Sequence, residues 1–150
     1  MQGLVQVAGT SAAAPASLRA RRCSFQGCAL GTGVEVCTNG AAELENCRIA
    51  HHAHSGVDVH GSGARLIARS CTDWSNNGQH GVFVRGEGQA ELEDCQLAYN
   101  GKAGACAAGV GTTLWLLRCG LAHNGTAGVL AQSGANIQPR DVQERRNGVV

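Results

Sequence analysis

The sequence predicts an all-β fold, a right-handed parallel β-helix of about six coils with a repeat of 24 residues. Three observations predict it. Cysteine recurs at intervals of 24 residues, a glycine-valine motif follows each cysteine by nine or ten residues, and apolar residues alternate along short runs between glycines. Alternation over a few residues is typical of β-strands, whereas a helix shows apolar residues three and four positions apart over a longer stretch.

Residues at equivalent positions of successive coils form columns, because parallel strands stack about 4.8 Å apart. The cysteine column contains Cys23, Cys47, Cys71, Cys95 and Cys119. The column five residues later contains Cys28, His52, Asn76, Asn100 and Asn124. An asparagine side chain in a turn hydrogen-bonds backbone groups of its own coil and of the next, so this pattern predicts an asparagine ladder.

The interior is predicted from two positions that alternate in size. Five residues before each cysteine stand Leu18, Ala42, Leu66, Ala90 and Leu114, and three residues before it stand Ala20, Leu44, Ala68, Leu92 and Leu116. Large and small side chains exchange places from coil to coil, which keeps the volume of each layer similar, as a narrow close-packed interior requires. On the outer side, Arg21, Glu45, Arg69 and Glu93 predict a ladder of exposed ion pairs worth roughly 0–1 kcal/mol each.

The repeat predicts a single domain over residues 1–150, with regular coils from 17 to 131 and irregular ends at 1–16 and 132–150. The first turn carries an insertion around GTSAAAPA, and both ends fall within a coil, so we expect a segment of a longer protein. The net charge of +1 argues against nucleic acid or an anionic membrane as the main partner. No apolar run approaches the roughly 18 residues of a membrane span, and no signal-peptide pattern is present.

The eight cysteines are predicted to be free thiols. In the cysteine column the Cβ vectors are parallel, so neighbouring Cβ atoms stay farther apart than a disulfide prefers. A column of small buried hydrophobic thiols is typical of a reducing compartment, and the predicted location is cytoplasmic. The remaining Cys28, Cys37 and Cys106 lack CxxC spacing, so the sequence predicts no zinc or other metal site.

Four histidines, His51, His52, His54 and His60, lie within ten residues. Neutral imidazole is a common metal ligand, so a metal site is one interpretation of this cluster. The interpretation we favour is surface histidines, with His52 making the hydrogen bond of the asparagine turn.

Asp73 stands in an apolar column whose other members are Phe25, Ile49, Leu97 and Leu121. Either the acid is buried at this point, which is costly unless it has a function, or the chain bulges by one residue and Trp74 turns inward. An extra residue before Gly81 favours the bulge.

The run from 17 to 131 resembles the parallel β-helix repeats of the pectate-lyase-like superfold. The motifs that carry the resemblance are C-x-I/L, the asparagine turn and GVxV, and LEDCQLAYNGKAG and TDWSNNGQHGVFV are similar to the "carbohydrate-binding and sugar hydrolase" repeats. Such repeats occur in periplasmic copper-system proteins, F-box-only ubiquitin-ligase adaptors and the Shc SH2-domain-binding protein family. The resemblance implies the fold and leaves the function open, because the fold includes polysaccharide lyases, hydrolases, epimerases and non-catalytic recognition modules.

The outer side of the glycine-valine strands offers an alternative catalytic site made of Glu35, Asp58, His60 and Arg85. In that alternative the acids bind Ca²⁺ or act as acid and base, and a basic residue takes a proton. The other interpretation is a solvated charged surface. The chain lacks the Arg-x-Pro-x-x-Arg stretch of pectate lyases and the Asp-Pro-His-type motif of alginate epimerases, so we expect no catalytic residues and no cofactor.

Two outward patches are apolar where other coils are polar. They are predicted binding residues: Phe83, Cys106 and Leu130 in one patch, and Ile67, Trp115 and Leu117 in the other. Adjoining exposed apolar side chains mark contacts with a partner or with flanking parts of the same chain. The sequence therefore favours a non-catalytic scaffold for protein–protein interaction, with two alternatives. One is a carbohydrate-binding module, for which only Trp74, Trp115 and Tyr99 supply stacking surfaces, and the other is an enzyme of the lyase, hydrolase or epimerase type.

Overall fold

Eighteen short strands, three to a coil, make up the computed structural model, which describes residues 3–11, 13 and 15–148. The first three coils contain β1 (Gly3–Val7), β2 (Ala16–Arg21) and β3 (Ser24–Gln26), then β4 (Thr32–Val36), β5 (Gly40–Glu45) and β6 (Arg48–Ala50), then β7 (Val57–His60), β8 (Arg65–Arg69) and β9 (Asp73–Ser75). The next three contain β10 (Val82–Arg85), β11 (Gln89–Glu93) and β12 (Gln96–Ala98), then β13 (Ala103–Ala108), β14 (Thr113–Leu117) and β15 (Gly120–Ala122), then β16 (Ala127–Gln132), β17 (Asn136–Arg140) and β18 (Gln143–Arg145). The described residues contain no helix, and so none that could cross a membrane.

The strands form three parallel sheets, because each strand pairs with the equivalent strand of the next coil. Sheet 1 contains the first strand of every coil, sheet 2 the second and sheet 3 the third, so each sheet has six strands and five steps separate its first strand from its last. Most steps are 23 to 25 residues long. The predicted all-β parallel solenoid is confirmed.

The ends of the chain follow the same pairing. The step from β1 to β4 is 29 residues, because the predicted insertion lengthens the first turn. Ala12 and Ala14 of that insertion lie outside the described residues, as do Val149 and Val150 at the other end. Strands β17 and β18 pair in register with β14 and β15, so regular coils extend past residue 131, the predicted limit.

Single left-handed residues bend every coil at the same two places. The first bend precedes the cysteine column and contains Arg22, Asn46, Ser70, Asp94, Arg118 and Asp141, with φ between 49° and 54°. The second bend follows sheet 3 and contains Gly27, His51, Asn76, Tyr99, His123 and Arg146. A non-glycine residue in this conformation costs about 1–2 kcal/mol, so the stacking of the coils must hold each bend in place.

The alternation of large and small interior side chains holds for four coils and ends at the fifth. Both Leu114 and Leu116 of β14 are buried, where the pattern of the earlier coils has one leucine and one alanine. In the same coil, Ala105 and Ala107 of β13 stand at the positions that valines occupy in the preceding coils. Smaller side chains in sheet 1 therefore make room for the larger ones in sheet 2, as constant packing density requires.

The predicted bulge at Asp73 is confirmed. Trp74 is fully buried and pairs in register with Ile49 and Leu97, while Asp73 lies half-exposed in an ion pair with Arg48. The indole Nε1–H of Trp74 donates to the carbonyl of Gly81 at 2.6 Å. A buried indole needs such an acceptor, so the carbonyl of Gly81 fixes the inward orientation of the ring.

The bulge moves the asparagine ladder by one residue, so the prediction of Asn76 as a ladder member is wrong. Asn77 is buried at the ladder position, and Asn76 instead forms the left-handed bend before it. The ladder continues in the last coil to Asn147, whose Oδ1 accepts from the Nδ2–H of Asn124 at 3.0 Å.

The glycine of the glycine-valine motif leaves space for the ladder side chains. A Cβ on Gly33 would lie 2.5 Å from Nε2 of His52, and a Cβ on Gly104 would lie 2.8 Å from Nδ2 of Asn124. Real Cβ atoms do not approach other atoms so closely, so any larger residue here would displace the ladder.

The charge ladder on sheet 2 forms in part. Nε of Arg21 lies 3.0 Å from Glu45, and Nε of Arg69 lies 3.4 Å from Glu93. Glu93 also contacts Arg118. These pairs are largely exposed, so they contribute little to stability and more to the choice of register.

Candidate functional site

The first candidate site lies on the outer side of sheet 1, where the register places Glu35 beside Asp58 and His60 beside Arg85. The predicted catalytic alternative is therefore one cluster in space. The guanidinium of Arg85 binds the carboxylate of Asp58 through both Nε and Nη2, at 3.3 and 3.0 Å. Cys37 stands next to His60, with Sγ 3.5 Å from Nε2.

The two carboxylates of this cluster are buried, which corrects the interpretation of a solvated charged surface. Glu35 is 1% exposed and Asp58 is 6% exposed. Gln6 of β1 covers the cluster, since its Nε2–H group donates to Oε2 of Glu35 at 3.4 Å and approaches Sγ of Cys37 at 3.5 Å. The second oxygen of Glu35, Oε1, is buried without a hydrogen-bond partner among the described residues.

Arg85 is the cation around which the other charged groups of this cluster lie. The hydrogen bond from Arg85 to Asp58 raises the pKa of the guanidinium, although burial opposes the shift. Arg85 also lies over the ring of Phe83, 5.5 Å from its centroid. Burial raises the pKa of the Cys37 thiol, which the nearby carboxylates of Glu35 and Asp58 reinforce. Arg85 is therefore tied to its partners and unsuited to taking a proton from a substrate.

The predicted apolar patch of sheet 1 forms one column, but it is not uniformly exposed. Phe83, Cys106 and Leu130 are paired in register on β10, β13 and β16. Phe83 and Leu130 are partly exposed, whereas Cys106 is fully buried and offers no surface to a partner. Burial raises the pKa of the Cys106 thiol to about 11.

The second predicted patch lies on sheet 2, and the structure divides it. Trp115 and Leu117 are neighbours on the outer side of β14, while Ile67 is separated from Trp115 by Glu91 in the same column. Trp115 and Leu117 line an open groove of about 610 Å³. The other groove residues are Arg65, Glu91, Glu93, Leu116, Gln138, Pro139 and Arg140.

The comparison with known families supports the same architecture. A family model described as "Right handed beta helix region" matches residues 3–148. The chain belongs to the right-handed β-helix family. No curated protein and no solved structure matches this β-helix significantly. Because the fold hosts many activities, function has to be argued from the sites.

Most buried polar residues of the β-helix have structural roles. In the ladder, Nδ1 of His52 accepts from the backbone N–H of Cys28 at 3.1 Å, and Nε2 lies 2.8 Å from the carbonyl oxygen of Phe25. Nε2–H must be the donor of that second bond, because a carbonyl only accepts. Burial lowers the pKa of His52, so the ring is neutral at pH 7.

The four histidines do not form one site in the β-helix. His52 lies in the ladder, as predicted, while His51 and His54 are exposed. His60 instead faces Cys37. The pairing of equivalent positions also places Cys37 beside His60, but it does not reveal Gln6, since the longer first step hides its register with Glu35.

Proposed function

We propose that this chain is a non-catalytic β-helix scaffold that binds an acidic protein segment in the groove beside Trp115. The observation that carries the proposal is the pair of apolar side chains, Trp115 and Leu117, on the outer side of β14. The neighbouring strands carry Glu91 and Glu93 on one side and Gln138 and Arg140 on the other. A lone apolar site within a polar sheet surface is the arrangement of a protein-binding anchor.

The groove suits an extended segment with one large apolar residue. It spans four adjacent strands, from Arg65 on β8 to Gln138–Arg140 on β17, which corresponds to about 14 Å at the spacing of a sheet. Pro139, which pairs in register with Leu116, also lines the groove and adds a rigid residue to it. Tryptophan in a partly formed pocket is the residue type that contributes most to binding energy at protein interfaces.

The charges around the groove favour an acidic partner. Among the described residues, neither Arg65 nor Arg140 forms an ion pair, so both cations are available. Glu93 is already held by Arg69 and Arg118. Glu91 is the remaining free acid of the groove. Two free cations against one free anion complement a segment with acidic side chains near its apolar anchor.

The cluster on sheet 1 is poorly suited to catalysis on a polysaccharide. A catalytic carboxylate must reach its substrate, and Glu35 at 1% exposure does not. Asp58 is 6% exposed and bound by Arg85. This burial supports the scaffold over the alternative of a lyase, hydrolase or epimerase.

The aromatic residues also favour a protein over a glycan. Trp74 is buried, Tyr99 stacks on His123 with ring centroids 4.8 Å apart, and Trp115 lies on a different sheet. A glycan-binding face needs aromatic rings side by side on one surface, and the described aromatic residues are dispersed over separate surfaces.

The experiment is a selection of random displayed peptides on the purified chain, followed by calorimetric titration of the enriched peptides. We expect the enriched sequences to share acidic residues around one large apolar residue. Binding should change the fluorescence of Trp115, which is partly exposed, and leave the buried Trp74 unaffected. Absence of enrichment, or enrichment of basic peptides, would overturn the proposal.

Matched variants locate the binding surface. Trp115→Ser and Arg140→Glu should each weaken binding about tenfold or more, which is about 1.4 kcal/mol. Tyr99→Asn and Arg22→Asp change an exposed aromatic and an exposed cation outside the groove and should leave binding unchanged. Binding that survives Trp115→Ser contradicts the assignment of the binding site to the groove.

A glycan array with Ca²⁺ and an ultraviolet assay for unsaturated products, each repeated with Asp58→Ala, test the two alternatives directly.

A further inference from the structure

We infer that Glu35, Cys37 and His60 form a binding site for a zinc ion on the outer side of sheet 1. One ligand atom from each residue, a carboxylate oxygen, a thiol sulfur and an imidazole nitrogen, lies within 4.8 Å of the other two. The site is separate from the Trp115 groove, which belongs to sheet 2, so it stands independently of the proposed function.

The closest pair of the three already has the spacing of a zinc site. Sγ of Cys37 lies 3.5 Å from Nε2 of His60. In a tetrahedral site with zinc–sulfur and zinc–nitrogen distances of about 2.3 and 2.0–2.1 Å, the two ligand atoms are about 3.6 Å apart. The carboxylate has to move closer by about 1 Å, which rotation of one glutamate side chain provides.

The buried carboxylate gives a second and independent reason for a cation here. Oε1 of Glu35 is buried with no hydrogen-bond partner among the described residues, in a residue that is 1% exposed. A buried unpaired oxygen of a carboxylate is costly, because it has lost its water and gained nothing in return. A metal ion would satisfy it, and an ordinary surface glutamate would not leave it buried.

The charges of the surrounding residues also balance with a divalent ion. Asp58 and Arg85 form an ion pair beside the three ligands. With Cys37 as a thiolate, the cluster of Glu35, Asp58, Cys37 and Arg85 carries a net charge of −2, which a divalent cation neutralises. The carboxylate of Asp58 therefore compensates the positive charge of Arg85, which then does not oppose the binding of a metal ion.

The backbone holds the ligands in place. Glu35 lies on β4, Cys37 follows that strand directly, and His60 ends the neighbouring strand β7. Gln6 approaches both Glu35 and Cys37 from β1 and supports their orientation. Thiolate, imidazole and carboxylate together suit zinc, and three protein ligands leave a fourth position for water.

Binding has a stoichiometric consequence. Zinc binds a cysteine as the thiolate, so coordination of the ion displaces the thiol proton of Cys37. Each bound ion therefore releases one proton to the buffer.

The test is titration of the freshly reduced, metal-free chain with cobalt(II) chloride and then with zinc chloride. We expect one equivalent of Co²⁺ to give tetrahedral visible absorption together with a near-ultraviolet thiolate-to-cobalt charge-transfer band. Zinc chloride should remove both. Calorimetry in buffers of different ionisation enthalpy should count one released proton. No charge-transfer band at one equivalent overturns the inference.

Variants separate this site from other thiols and imidazoles. Cys37→Ser should abolish the charge-transfer band, and His60→Gln and Glu35→Gln should each weaken Co²⁺ binding about tenfold or more. Cys28→Ser and His54→Gln remove a half-buried cysteine and an exposed histidine outside the cluster and should leave the titration unchanged. A band that persists in Cys37→Ser, or disappears in Cys28→Ser, contradicts the site. Circular dichroism on each variant confirms that the strands remain folded, and His60→Gln at the cluster's edge decides the result if Glu35→Gln does not fold.

Discussion

Asn100 and Asn124 are joined by two hydrogen bonds to one atom. Oδ1 of Asn124 accepts from the backbone N–H of Asn100 at 3.1 Å and from its Nδ2–H at 3.0 Å. Asn77 and Asn100 repeat the arrangement one coil earlier, at 3.2 and 2.9 Å. The ladder side chains therefore accept hydrogen bonds from the buried backbone N–H groups at the turn where each coil passes from sheet 3 to sheet 1.

We predict that Asn100→Ala lowers the free energy of unfolding by about 3 kcal/mol, because the backbone N–H and the Nδ2–H of Asn77 and the carbonyl of Trp74 lose the Asn100 side chain as their partner in a buried turn. The measurement is urea denaturation followed by circular dichroism. Asn76→Gly is the control, since Asn76 forms the left-handed bend outside the ladder. It should change stability by about 0.5 kcal/mol or less. Equal losses in the two variants would contradict the ladder assignment.

Trp74 and Asp73, the two side chains at the bulge, should differ strongly in their contribution to the free energy of unfolding. Trp74→Ala should cost about 3–5 kcal/mol, because it empties a fully buried position and removes one of the two donors to the carbonyl of Gly81, which keeps only the N–H of Val57. Asp73→Ala removes a half-exposed ion pair with Arg48 and the acceptor of the Ser75 hydroxyl, and it should cost about 1 kcal/mol. Denaturation curves of the two variants measure this difference, and the reverse order would mean that Asp73 faces the interior.

The columns of the fold were predictable because a solenoid repeats one set of contacts at a fixed interval. One extra residue interrupts that rule. The spacing from the cysteine places Asn76 in the ladder, whereas the bulge at Asp73 implies Asn77. Fixed counting fails after an insertion, whereas the side-chain chemistry of Trp74 remains a reliable guide to the inward position.

The positions of the candidate-site residues were predictable from the sequence, but the burial of their side chains was not. Pairing of equivalent positions places Glu35, Asp58, His60 and Arg85 together, and the structure confirms the register. Exposure depends on neighbours outside the repeat, above all on Gln6, which the long first step brings beside Glu35. Likewise, the groove beside Trp115 depends on Pro139 and Arg140, which lie in the part of the chain that looked irregular.

A buried histidine should make stability dependent on pH. His80 is 8% exposed, and its Nδ1 accepts from the backbone N–H of Ala103 at 3.2 Å. Burial, reinforced by Lys102 and opposed by Asp58, lowers the pKa of His80 to about 4. The unfolded chain then binds more protons than the folded chain between about pH 6.5 and pH 4, so the free energy of unfolding falls as the pH falls through that window.

The size of that effect can be isolated with one substitution. His80 should account for a loss of about 2 kcal/mol across the window, after allowance for solvent near the ring. His80→Asn retains an acceptor for Ala103 and removes the titrating group, so its stability should fall less steeply with pH. His54→Asn changes an exposed histidine and should retain the wild-type slope. An unchanged slope in His80→Asn would show that other groups cause the acid sensitivity.

The cysteines should react in two classes with a thiol reagent such as Ellman's. Cys23 is exposed and Cys28 and Cys37 are half-buried, so three thiols should react in the folded protein. The protected thiols are Cys47, Cys71, Cys95, Cys106 and Cys119, which are buried.

Hydrogen bonds to the neighbouring thiols of the column, together with burial, raise the pKa of Cys95. Because the thiolate is the reactive form, Cys95 should be among the most protected thiols. Cys37 should react more slowly than Cys23, because burial raises its pKa. Mass spectrometry of labelled peptides, before and after addition of denaturant, identifies each site, and early labelling of Cys71 or Cys95 would contradict a packed cysteine column.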